Sequence, residues 1–111
     1  MFDVVTEPAT GRIDLVGEFD LACVERFRDA CAVIVAHGPA EVVVDLARLR
    51  FIDATGIGSI RELANTLAAR NTPLRIVNAD ARTRRVFSLC GLDTMLSGST
   101  GPWRPSSALE G

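Results

Sequence analysis

Glu41 to Leu46 reads EVVVDL, a nearly continuous β-branched run, too short for a helix and lacking the alternation of a strand with one wet face. Such a run belongs in the centre of a sheet, covered on both faces. The stretches on either side have a different period, and that change dictates the fold class. From Asp20 onward Val24, Phe27, Cys31, Ile34 and Val35 recur at intervals of three and four. They form one apolar stripe of a helix, with Asp20 placed to cap it and His37-Gly38-Pro39 to end it. After a loop at Ala47 to Ile52, residues Ile57, Ile60, Leu63, Ala64 and Leu67 again fall on one helical face. A second helix therefore starts at Thr55 or beside it.

The remaining segments complete the pattern. Ile13, Leu15 and Gly17 alternate with Asp14, Val16 and Glu18, so Arg12 to Gly17 is a half-buried strand, paired with Phe2 to Thr6 through a turn at Glu7 to Gly11. Asn71-Thr72-Pro73 stops the second helix, and Leu74 to Val77 (LRIV) is a third buried strand. Asn78-Ala79-Asp80 makes a turn and cap for a third helix, Ala81 to Cys90, which ends at Gly91 and leads to a short last strand at Asp93 to Leu96. Helices between strands imply right-handed parallel crossovers, while the opening hairpin is antiparallel. The predicted fold class is α/β, a mixed sheet of four or five strands with amphipathic helices packed against it. Residues 1–96 form this single domain, and 97–111, rich in Gly, Ser and Pro, read as a flexible tail. With 111 residues, such a domain buries roughly two thirds of its unfolded surface and stands without a metal or disulfide staple.

Charge and cysteine usage narrow the function. The net charge is −2 and all 12 basic residues are Arg, which argues against nucleic acid as a partner and favours proteins. Cys23, Cys31 and Cys90 are odd in number and have no C-x-x-C spacing, and His37 is the sole histidine. No metal or other cofactor is expected. Cys23 and Cys31 lie about 12 Å apart along a helix, too far for a disulfide. They read as core fillers, and Cys90 is the thiol to test for reactivity. The opening MFDVVTEPAT lacks the pattern of a signal peptide, and the longest uncharged stretch, Ala30 to Ala40, is too short to span a bilayer. A soluble, cytoplasmic protein with no membrane partner is expected.

The segment that bears on chemistry is FIDATGIGSI, opening the second helix after a buried strand. A hydroxyl there sits among unpaired backbone N–H groups and the positive end of the helix dipole, a place that accepts phosphate. The same position also suits Thr55 as a plain N-cap. Asp53 either orients the loop or bonds to the backbone of the second helix, the alternative being a plain Asx-turn residue. Gly56 and Gly58 are read as residues that let backbones approach closely. TGIGS lacks the G-x-G-x-x-G spacing of a dinucleotide site. Arg82, Arg84 and Arg85 form the densest basic cluster and read as a solvated helix face. An enzyme is disfavoured, since no base accompanies a nucleophile and neither C-x-x-C nor C-x5-R is present.

Three stretches resemble the STAS family in the expected order. Val43 to Gly58, VVDLARLRFIDATGIG, is similar to its strand followed by a D-[SAT]-[ST]-G-[ILV]-G turn into a helix. GEFD at Gly17 to Asp20 and RRVFSLCGLDTML at Arg84 to Leu96 resemble the end of its second strand and its third helix. Among such proteins, free-standing domains of this length resemble the anti-sigma factor antagonists. That resemblance implies a non-enzymatic protein that binds an anti-sigma factor of the serine/threonine kinase type and so releases a sigma factor. It also implies that phosphorylation of Thr55 inactivates the protein and that a phosphatase restores it. Asp20, Asp53, Thr55, Gly56, Ile57 and Gly58 would make up the partner-binding set. Ala54 stands where relatives often carry Ser, and Thr55 replaces the commoner Ser. The competing expectation is a STAS accessory subunit of a lipid-transport ABC system, docking through the same helix.

Overall fold

Strict alternation in the second strand settles which side of the sheet is inside. In the computed structural model, which describes residues 1–96, β1 (Phe2–Glu7) and β2 (Arg12–Phe19) form the antiparallel hairpin. Ile13, Leu15 and Phe19 are completely buried, while Arg12, Asp14, Val16 and Glu18 between them are half-buried. The tail expected at 97–111 lies outside the described residues. β3 (Val42–Ile52) pairs parallel with β2, and β4 (Leu74–Val77) parallel with β3. The sheet runs in the order β1-β2-β3-β4, which makes the EVVVDL run central as expected.

Two features of β3 differ from expectation. It is eleven residues long and includes Ala47 to Ile52, the stretch read as a loop. Register irregularities between Asp14 and Val16 and between Gly17 and Glu18 on β2 break the two-residue period. The buried positions along β3 therefore run Val44, Leu46, Leu49, Ile52, a spacing that hides a strand from pattern reading. The run is also not covered equally on both sides, since Val42 and Val44 are buried and Val43 only half so. Each parallel crossover advances by one strand, so a common right hand places all three helices on one face and leaves the other wet.

The helices are α1 (Val24–His37), α2 (Ala54–Ala69) and α3 (Ala81–Leu89). A 3-10 turn, Leu21–Cys23, precedes α1, and Asp20 caps that turn by accepting from the Ala22 N–H at 3.0 Å. Gly38, with φ 69°, ends α1 in the left-handed conformation that glycine adopts without penalty. The apolar stripes of α1 and α2 face the sheet as predicted, with Phe19 sandwiched between Phe2 and Phe27 at centroid distances of 4.8 and 5.0 Å. Asp80 caps α3 through the Thr83 N–H at 2.8 Å. The expected last strand is instead a 3-10 turn, Asp93–Met95, followed by one parallel bridge from Leu96 to Ile76. The turn buries Met95 and Leu96 within a segment too short to hold a ladder as well. Cys31 is buried and its thiol is pushed up to about 12 by desolvation, Cys23 is half-buried, and Cys90 is exposed at the end of α3.

On the wet face, Asp45 is almost fully enclosed. Its carboxylate accepts from the Ala47 N–H at 2.9 Å, from Asn78 Nδ2 at 3.0 Å and from Arg12. Burial raises its pKa, but the three donors together outweigh that and hold the carboxyl below the usual range. A depressed folded-state pKa gives stability that is complete above the unfolded value of about 3.9 and is lost as pH falls through the folded value. Asp45→Asn should therefore be destabilising by about 1–3 kcal/mol at neutral pH, with the gap to wild type closing below about pH 4. Urea melts across the acid range give the comparison, and a gap constant with pH would refute it.

Candidate functional site

The end of β2 and the end of β3 are register partners, Phe19 opposite Ile52. Asp20 and Asp53 consequently leave the sheet side by side at the carboxyl edge of its parallel strands, where α/β sheets commonly place their sites. The Asp53 N–H donates to the Phe19 carbonyl at 3.3 Å, tying the two segments together. With extended backbone (φ −103°, ψ −177°), Asp53 is the N-cap of α2, and its Oδ1 accepts from the Gly56 N–H at 2.9 Å. Its side chain thus bonds the helix backbone, one of the roles open to it from sequence.

This arrangement corrects the reading of Thr55 as N-cap. The bond from the Gly56 N–H to Asp53 Oδ1 puts Asp53 at the cap, and α2 begins at Ala54, so Thr55 lies inside the first turn. Thr55 is exposed. Its carbonyl accepts from the buried Ser59 hydroxyl at 3.1 Å, so its main chain is anchored while its side chain faces outward. Ile57 is 1% exposed and belongs to the core. Any contact it makes with a partner is indirect, through the neighbours it positions.

The two glycines of the turn differ. A Cβ on Gly56 would lie 2.7 Å from Ile52 Cγ1 and 3.0 Å from the Phe19 carbonyl oxygen, so only hydrogen fits there. Among the described residues nothing lies within 4 Å of a Cβ on Gly58, and the close approach expected at that position is absent there. Gly58 is exposed instead, on the same side of α2 as Thr55.

Around Thr55 the surface forms a shallow groove between helices. Leu21, Val24, Glu25 and Arg28 line one wall, and Thr55, Gly58, Ser59 and Glu62 the other. Leu21 is 71% exposed at its mouth. By spacing, Leu21 extends the apolar stripe of α1, and nothing in the sequence marks it as surface. The ion pair of Arg28 with Glu62 was likewise invisible, because its members are 34 residues apart. Arg82, Arg84 and Arg85 lie on the exposed face of α3, and His37 is exposed at the end of α1, both away from this groove. Among the described residues no helix is long and apolar enough to cross a membrane.

Comparison with known proteins agrees with the fold. A family model described as "Mlab, STAS domain" matches residues 2–97. A STAS-domain-containing protein of Pseudomonas aeruginosa is 25% identical over 83 residues, 75% of this chain and 81% of its own length. An anti-sigma-B factor antagonist of Staphylococcus epidermidis is 23% identical over 99 residues, 89% and 92% of the two chains. The solved structure of the anti-sigma factor antagonist SpoIIAA in its unphosphorylated form superposes with a TM-score of 0.73 at 24% identity, covering 90% of this chain and 89% of that one. That likeness concerns the fold, a small domain with a four-stranded mixed sheet and three helices. Because the model spans the whole described domain, including both acid-ended strands and the turn from Asp53 to Gly58, the chain belongs to the STAS-domain family.

Proposed function

We propose that this protein is an anti-sigma factor antagonist, switched by phosphorylation of Thr55. In the unphosphorylated state the edge formed by Asp20, Asp53, Thr55 and Gly58, with Leu21 beside them, binds an anti-sigma factor of the serine/threonine kinase type in the cytoplasm and releases its sigma factor. The bound kinase transfers the γ-phosphoryl group of ATP to Thr55 Oγ1, releasing ADP and a proton, and a phosphatase reverses the step. The chain itself is a substrate and binding partner, not an enzyme, and needs no cofactor. Residues 1–96 carry the binding domain. Gly56 and Ile57 serve the surface from beneath, by fixing the first turn of α2.

The observation that carries this reading is the exposure of Thr55 inside a first turn whose capping is done by Asp53. A hydroxyl free of the capping role is available to a kinase, and the helix N-terminus tolerates the charge that results. Phosphopeptide mapping after incubation with the cognate kinase and ATP provides the test. Phosphate is expected on Thr55, and Thr55→Ala should abolish incorporation. Phosphate mainly on Ser59 or Thr83, both buried, would refute the assignment.

The matching family model is described as Mlab, not as an anti-sigma antagonist, and this favours one second reading, an accessory subunit of a lipid-transport ABC system docking through the same edge. Affinity capture separates the two. A kinase-type ATP-binding protein retained by wild type and lost with phosphorylated Thr55 supports the first, and a permease–ATPase assembly retained regardless supports the second.

A further inference from the structure

The groove beside Thr55 has two facing walls with the same periodicity. Positions 21, 24, 25 and 28 on one side and 55, 58, 59 and 62 on the other are each spaced i, i+3, i+4, i+7. Among the described residues one cation stands in it. Arg28 donates from Nε and Nη2 to the two oxygens of Glu62 at 2.9 and 3.2 Å, and from Nη1 to Glu25 at 3.3 Å. All three side chains are half or more exposed, at 52, 54 and 83% for Arg28, Glu62 and Glu25. The fork is bidentate on Glu62 and shared with Glu25, but all three groups face solvent, which screens the pairs.

Thr55 precedes Glu62 by seven residues, about 10 Å along the axis of α2. Between them on this face stand only Gly58, with open space where a side chain would be, and Ser59, whose hydroxyl is turned back to the Thr55 carbonyl. Three acids border the Thr55 end, with Asp53 capping α2, Asp20 capping the adjoining 3-10 turn and Glu25 on α1. A phosphate placed there has Arg28, the cation lining its groove among the described residues, with a long stem to bring the guanidinium across the gap at Gly58.

We propose that Arg28 is an internal phosphate receptor: phosphorylation of Thr55 draws the guanidinium away from Glu62 and along the groove toward the phosphoryl oxygens. The inference rests on Thr55 as phosphoacceptor. A dianion with three acceptor oxygens competes for a guanidinium against the exposed, singly charged carboxylates of Glu62 and Glu25. The exchange leaves the Glu62 carboxylate without its partner. Phosphorylation then alters the partner-facing surface over two turns of α2, by the new charge at Thr55 and by an uncovered acid at Glu62.

The test uses the full chain with phosphothreonine installed at position 55 by genetic encoding, so that it does not depend on any kinase. Phosphorus NMR titration reads the second phosphate pKa, ordinarily about 6. Arg28→Gln should raise it by about half a unit, as loss of a nearby cation does. Glu62→Gln should lower it, because it frees Arg28, and this effect should largely vanish in the Arg28→Gln background. A pKa unmoved by Arg28→Gln, or a Glu62→Gln effect equal in both backgrounds, overturns the proposal. Binding of the same phosphoprotein to the anti-sigma factor is measured separately. Undiminished binding alongside the predicted pKa changes would sink the functional reading and leave the phosphate receptor standing.

Discussion

Thr55→Glu should weaken binding to the cognate anti-sigma factor about a hundredfold, equivalent to about 2.7 kcal/mol, while Thr55→Ala should bind like the wild type and lose only its control. Both variants should fold. Asp53, not Thr55, caps α2, so alanine removes no capping hydrogen bond and is a good helix former at that position. Glutamate in the first turn interacts favourably with the helix dipole, by about 0.3–1 kcal/mol. Binding treats the two differently, because an interface closing over the edge must desolvate a carboxylate placed close to Asp53 and Asp20. Arg28 is engaged by Glu62 and Glu25, and the single charge of a glutamate draws it less than a phosphate dianion would. Calorimetric titration of both variants, with thermal melts as controls, measures the effect. Equal affinities from two well-folded variants would rule out an electrostatic switch and shift the weight to constitutive docking.

Local chemistry carried most of the fold into view from sequence. The stripe at Ile57, Ile60, Leu63, Ala64 and Leu67 fixed the buried face of α2, and LRIV gave β4 its bounds without error. These succeed because helix and strand periods are short-range properties. β3 was cut short for a non-local reason. Its second half is recognisable only beside β2, whose irregular register spaces Leu49 and Ile52 by three. The missing last strand has a similar cause, since four residues cannot declare whether they will pair or close a 3-10 turn over the core.

The geometry of the candidate site was legible in part. Asp20, Asp53 and Thr55 do converge, and the reason lies in the pairing of Phe19 with Ile52, which puts the residues after each strand next to one another. The sequence motifs named these residues without giving that reason. Distribution of roles inside the turn was not legible, because capping by Asp53 or by Thr55 differs by a two-residue shift of the helix start. The bond from the Gly56 N–H to the Asp53 carboxylate decides between them, and residue types alone do not give that side-chain geometry. The opposite wall of the groove, Leu21 with Arg28, depends on how α1 lies against α2, and single-sequence patterns do not encode that contact.

The two glycines of the turn should separate folding from binding. Gly56→Val puts a branched side chain where even a methyl meets Ile52 Cγ1 at 2.7 Å and the Phe19 carbonyl oxygen at 3.0 Å. Ile52 is itself buried, and that carbonyl also receives the Asp53 N–H, so neither neighbour moves aside without disturbing the sheet end or the cap. Overpacking of this kind costs about 2–3 kcal/mol, a fall in Tm of roughly 8–20 °C for a domain of this size. The partner surface should fail with it, since Asp53 and Thr55 would lose their common anchor. Gly58→Ala should do the reverse. Its added methyl meets nothing within 4 Å among the described residues and removes the entropic penalty of glycine inside a helix, stabilising the domain by about 0.5–1 kcal/mol. If the partner closes over the groove floor, that methyl stands in the interface, and affinity should drop even though the fold gains. Thermal melts and titrations of both variants against the anti-sigma factor read the two effects independently. A Gly58→Ala variant that gains stability and keeps full affinity would exclude the groove floor from the interface and confine binding to the Asp20–Asp53–Thr55 edge.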